Sequence, residues 1–144
     1  MRIRQRGVAL VEFSFVLPLL LVLSMIAIEM VRAVYRYNTT AKAVRDAVRY
    51  LSVQTPGTHR AEARNLIVYG NVAGTGPMLD TALGAANVPD QNITWQSTGS
   101  NPLINTVTIR VSGYQFRPLV TNMFGTQFAA INFNDISATM RSPL

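Results

Sequence analysis

The sequence predicts an α+β protein: one long amino-terminal helix, membrane-spanning in its first half and amphipathic in its second, packed on an antiparallel sheet of about three strands. Three observations carry this. An apolar run from Val8 to Ile28 is broken by a single charge, an apolar repeat of three to four residues follows from Glu29 to about Leu51, and from Asn92 onward the period becomes two. Strands that bury one face need a cover, and the amphipathic half of the helix can supply it.

Between Val8 and Ile28 the only charged residue is Glu12; the remainder is Leu, Val, Phe, Ile, Ala and Met with Ser14, Ser24 and Pro18. At about 1.5 Å per residue this run makes a helix of roughly 30 Å, the thickness of a bilayer's hydrocarbon core. A cleaved signal peptide would have an apolar region of about 7–15 residues ending at a small-x-small site. This run is longer, carries a carboxylate, and reaches Met25-Ile-Ala27 with no such site. Pro18 removes one helical hydrogen bond, which membrane helices tolerate where neighbours satisfy the freed carbonyl, so it marks a bending or packing point. An ionised carboxylate inside the bilayer is costly, and Glu12 therefore calls for a partner.

Beyond the run, Val34, Tyr37, Ala41, Val44, Val48 and Leu51 form the expected buried stripe. Glu29 can pair with Arg32, and Asp46 with Lys42 and Arg49. Asn38-Thr39-Thr40 weakens the helix locally and is a candidate bend; Thr55-Pro56-Gly57 ends it. A second helix is expected over about Arg60–Tyr69, with Ala63, Leu66, Ile67 and Tyr69 buried and Gly70 as its stop. Residues 70–89 read as a loop with one short helical turn. Gly74-Thr-Gly76 precedes Pro77 and lacks the Lys and Ser/Thr of a phosphate-binding loop.

The strands follow. Ile93 and Trp95 alternate with Thr94 and Gln96, and Val107, Ile109 and Val111 with Thr106, Thr108 and Arg110. The last strand runs from Ile131 through Met140, with a parity slip at Asn134-Asp135 that predicts a bulge or break.

Composition removes several function classes. The formal charge of +6 includes Arg2, Arg4 and Arg6; without them ten basic face seven acidic side chains, and no Lys/Arg run or nucleic-acid motif remains. Basic residues between Arg32 and Arg49 suit lipid headgroups or neighbouring subunits better than DNA. There is no cysteine, hence no disulfide, thiolate metal site or thiol nucleophile. His59 stands alone beside a Pro-Gly turn, and the seven acids show no paired or metal-ligand spacing. The sequence thus implies no enzyme, cofactor or metal.

Arg6-Gly7-Val-Ala-Leu-Val-Glu12-Phe13 resembles a type IV prepilin processing site, in which a basic leader ends at Gly and Glu is the fifth mature residue. The text through Pro18-Leu-Leu, the Ile28-Glu29-Met-Val-Arg32 boundary, Val107-Thr-Ile-Arg-Val-Ser-Gly-Tyr114-Gln-Phe-Arg117-Pro118 and Ile136-Ser-Ala-Thr-Met140-Arg141 are similar to TadE-like minor pilins (pseudopilins) of tight-adherence pili, with Met30 and Val31 where the family often has an aromatic and Gly. The resemblance implies a leader at 1–7, a transmembrane helix at 8–29 and an extracytoplasmic pilin-like domain at 30–144. It implies cleavage between Gly7 and Val8, and pairing of Glu12 with a Val8 amine of a neighbouring subunit. It also implies a single-pass protein of the bacterial inner membrane with a cytoplasmic amino terminus, although the basic residues after the helix outnumber those before it. The partners so implied are a prepilin peptidase, other minor pilins, the major pilin, the inner-membrane assembly platform and membrane lipid. An unprocessed single-pass envelope scaffold or adaptor is the alternative.

Tyr114 to Phe128 is long for a link between strands. Its Leu119, Val120, Met123 and Phe124 are either a minor core folded onto the sheet or a surface kept for another minor pilin.

Overall fold

A computed structural model describes residues 5–123 and 125–143. Two compact units make up the chain: Met1–Val34 with Pro118–Ala129, and Tyr35–Arg117 with Ala130–Leu144. Helix α1 (Gln5–Ser52, 48 residues) supplies the helix of both.

In the first unit α1 passes through Pro18 without interruption, and its apolar side chains from Val8 to Ile28 are almost all exposed. The segment is long and apolar enough to cross a membrane. Its two hydroxyls are absorbed locally: Ser14 Oγ donates to the Val11 carbonyl at 2.6 Å and Ser24 Oγ to that of Leu20 at 2.8 Å. The helix surface therefore offers lipid no unmet hydroxyl. Residues 118–129 complete the unit with a small hairpin, β4 (Asn122–Met123) against β5 (Thr126–Gln127), in which Gly125 takes φ +81°.

The second unit holds the core. Ala41, Val44, Ala47, Val48 and Leu51 of α1 bury one face together with Ala63 and Ile67 of α2 (Arg60–Tyr69). The expected stripe is corrected at its start: Val34 and Tyr37 are exposed and Thr40 and Ala43 are buried, which turns the buried face by about one residue. The helix runs on through Asn38-Thr39-Thr40, where Thr39 donates its hydroxyl back to the Tyr35 carbonyl at 3.0 Å. Among the described residues Asp46 makes no ion pair with Lys42 or Arg49. Helix α2 spans the expected residues and stops at Gly70, whose φ of +75° is the left-handed conformation glycine takes freely. Val68 takes the buried place expected for Leu66 and Tyr69, which are half-buried.

Strands β1 (Ile93–Thr98), β2 (Ile104–Val111) and β7 (Ile136–Ser142) form an antiparallel sheet with β2 in the centre. Register places Ile93 opposite Ile109 and Val111 opposite Ile136, so the buried side chains of three strands meet on one face. On the other face Thr108 and Thr139 share a hydrogen bond of 2.8 Å. Ser142 Oγ donates to the Ser52 carbonyl at 2.9 Å, satisfying an acceptor at the end of α1 that has no helical donor.

The slip at Asn134-Asp135 proves to be a change of sheet. Ile131–Asn132 is a separate strand, β6, paired with β3 (Gln115–Phe116), so the last strand expected from Ile131 to Met140, with a bulge or break, is two strands in two sheets. Phe133 makes the switch, its ring stacked on Tyr114 at 5.5 Å and tilted on Tyr37 at 5.3 Å. The 70–92 segment supplies two 3₁₀ turns, Ala85–Asn87 and Asp90–Asn92, and fills the core with Leu83 and Val88.

Candidate functional site

The residues singled out by the sequence lie near the start of α1. Gly7 sits inside the helix, and a Cβ placed on it would meet nothing within 4 Å. A glycine inside a helix costs about 1 kcal/mol relative to alanine. Neither φ nor packing asks for it, so the fold gives no reason for a glycine here. Val8, at 67% exposure, begins the apolar surface. Glu12 is exposed one turn later and makes no ion pair or hydrogen bond among the described residues. With Val8, Phe15 and Val16 at helical spacing it shares a face, a carboxylate set in an otherwise apolar surface.

The uncharged run ends at Glu29, which behaves in the opposite way. Its carboxylate is buried, with one oxygen on Arg32 Nη1 at 2.6 Å and the other accepting the Leu119 backbone N–H at 3.0 Å. Glu29 is thus engaged inside its own unit, whereas Glu12 has no ion pair or hydrogen bond among the described residues. The pairing of Glu29 with Arg32 was legible from spacing; the capture of Leu119, ninety residues away, was not.

Side chains along the connection from Tyr114 to Phe128 differ in burial. Tyr114 and Phe116 are fully buried and belong to the core. Leu119 is 75% exposed and Val120 half-buried. Phe124 lies outside the described residues, as does the side chain of Met123.

A polar cluster that no sequence spacing announced lies in the second unit. Asp80 is buried; its carboxylate accepts from Arg36 Nη1 at 2.9 Å, from the Ala82 N–H at 2.9 Å and from the Tyr114 hydroxyl. It joins α1, the 70–92 segment and the start of β3, and Arg36 also lies over the Phe116 ring at 5.7 Å. Burial raises the Tyr114 pKa well above the phenol range, and the hydrogen bond to Asp80 and its charge add to that, against smaller opposing effects of Thr40 and Arg36.

The unfolded tyrosine loses its proton near pH 10 while the folded one keeps it, so the stabilisation is complete below about pH 10 and falls by up to about 1.4 kcal/mol per pH unit above it. Detergent-solubilised protein is expected to lose near-ultraviolet circular dichroism more steeply above that pH than Tyr114→Phe. Identical alkaline limbs would refute the linkage.

His59 is exposed, in a left-handed conformation just before α2, and its ring Nδ1 shares a hydrogen bond of 2.8 Å with Thr58 Oγ1. Among the described residues no three of His, Asp and Glu gather closely enough to hold a metal. Arg64 and Arg60 meet Asp90 by side chain and backbone, a surface tie between α2 and the segment before β1.

Residues 7–49 match the family model described as TadE-like protein. The match begins at Gly7 and ends inside α1, so it takes in the candidate processing residues, Glu12 and Glu29; the carboxy-terminal strands lie outside it. No curated protein and no solved structure matches the chain.

Proposed function

We propose that this chain, TadE-like over residues 7–49, is a pseudopilin: a minor structural or assembly component of a tight-adherence type IV pilus that serves surface attachment. A prepilin peptidase cuts between Gly7 and Val8, and the mature chain stays in the inner membrane through residues 8–29 or enters the pilus. The amino terminus is cytoplasmic and the domain from residue 30 lies outside. The role is structural, carried by contacts with other minor pilins, the major pilin, the assembly platform and lipid.

Glu12 carries this reading. It is the one charge on an exposed apolar helix, it stands fifth after Gly7, and it has no partner among the described residues. Cleavage after Gly7 creates a cation, the Val8 amine, about 6 Å along the helix axis from the Glu12 position. Two like subunits side by side can then neutralise carboxylate with amine, which removes the penalty each charge bears alone in an apolar medium. Gly7 supports the same reading, since nothing in the fold requires it.

Intact-mass analysis of the protein from cells with an active tight-adherence system tests the proposal. The expected species begins at Val8 and part of it travels with sheared pili. An uncut chain, with the peptidase active on its other substrates, would replace this reading with the unprocessed envelope scaffold.

A further inference from the structure

We infer that the 118–129 segment is a second membrane contact: an interfacial loop whose Leu119 enters the lipid at the outer end of the span. From Pro118 to Asn134 the chain carries no charged residue, in a sequence with thirteen basic and seven acidic side chains. Within it, the Pro118–Ala129 connection carries Leu119, Val120, Met123, Phe124 and Phe128, a composition badly matched to water. The unit that contains 118–129 contains no other chain segment but the apolar half of α1.

The backbone fixes the level of the loop. Glu29 is the first charge after the apolar run, about 31 Å of helix beyond Val8, which places it where the hydrocarbon ends. The Leu119 N–H donates to Glu29 Oε1 at 3.0 Å, so the loop is tied at that boundary, while its side chain stands 75% exposed. Arg32 on the other carboxylate oxygen holds the acceptor in place and brings a cation to headgroup level. Val120 and Phe128 are half-buried, and the Phe128 N–H donates to the Thr121 carbonyl at 2.9 Å, which bonds the two ends of the hairpin together next to Leu119. Apolar groups held at this level sink about 5–10 Å into the boundary between headgroups and acyl chains. The occupant of the Leu119 surface is therefore lipid, continuous with the lipid around the helix, and this replaces the partner-pilin expectation for that residue.

The inference rests on residues 8–28 spanning the membrane, and one experiment separates the two. Since the sequence has no cysteine, a single spin label can be placed by Leu119→Cys, by Phe15→Cys in the span, or by Ser100→Cys in an exposed turn. Full-length protein is reconstituted in phosphatidylethanolamine–phosphatidylglycerol vesicles, and label collisions with oxygen and with a water-soluble nickel chelate are measured. The oxygen-to-nickel ratio at Leu119→Cys is expected several-fold above that at Ser100→Cys and below that at Phe15→Cys. Adding Glu29→Ala should lower it, because the tether is lost.

A Leu119→Cys ratio equal to that of Ser100→Cys overturns the lipid contact while a high Phe15→Cys ratio leaves the span intact. Shielding from both reagents only when other minor pilins are co-reconstituted overturns it in favour of a protein partner. A low ratio at Phe15→Cys removes the span and the inference together. An unchanged ratio with Glu29→Ala overturns the tether.

Discussion

Glu12→Ala is expected to leave cleavage and membrane insertion intact and to reduce recovery of the protein in sheared pili by at least about tenfold. The substitution makes the span more apolar, so insertion is favoured. What it removes is the acceptor for the new Val8 amine. An unpaired ammonium buried against neighbouring helices costs on the order of a few kcal/mol, and 1.4 kcal/mol is already a tenfold change in an equilibrium. The carboxylate has no internal role to confuse the result, since it is exposed and bonded to nothing among the described residues. Quantitative immunoblots of pilus and membrane fractions at native expression levels provide the measurement. Wild-type recovery of the variant in pili would end the charge-pair mechanism.

The contrast between Glu12 and Glu29 shows how far sequence alone reaches. Both are acids of one helix, Glu12 inside the apolar run and Glu29 just beyond it. Glu29 sits three residues from Arg32, and that pairing could be written down from helical spacing because the two groups share one element. Its second bond, to the Leu119 N–H, depends on a contact between positions ninety residues apart, and no local period encodes that. The same limit hid the Asp80 cluster: Arg36, Asp80 and Tyr114 are separated by 44 and 34 residues.

Periodic signals fared better because they are local. Helix α2 and its Gly70 stop lie where apolar spacing and a permissive glycine put them, and Val107, Ile109 and Val111 all face the core. At Asn134-Asp135 the pattern reported a break but not its consequence, since a parity slip is the same text whether a strand bulges or leaves for another sheet. Along α1, Ala41, Val44, Val48 and Leu51 are buried as expected, while the start of the stripe was misplaced because Ala33, Thr40 and Ala43 carry weak hydrophobic signals.

Replacing Gly7 with phenylalanine is expected to leave the uncut chain as the dominant species. Mass spectrometry of membrane extracts should find the leader still attached, and pilus recovery should fall with it. Such a result is often clouded by misfolding, and here the structure removes that ambiguity. Among the described residues nothing outside its own stretch of helix lies within 4 Å of a Cβ at position 7, and the residue is helical, so Gly7→Ala should be accepted with a gain of up to about 1 kcal/mol in helix propensity. Gly7→Ala is therefore the control: it perturbs the backbone in the favourable direction while adding the least volume at the scissile bond. Cleavage that is slowed by alanine and blocked by phenylalanine, with both proteins inserted and equally stable, places the requirement for glycine in the peptidase's site. Efficient removal of the leader from Gly7→Phe would show that the peptidase does not read this residue, and the processing assignment at Gly7–Val8 would fall.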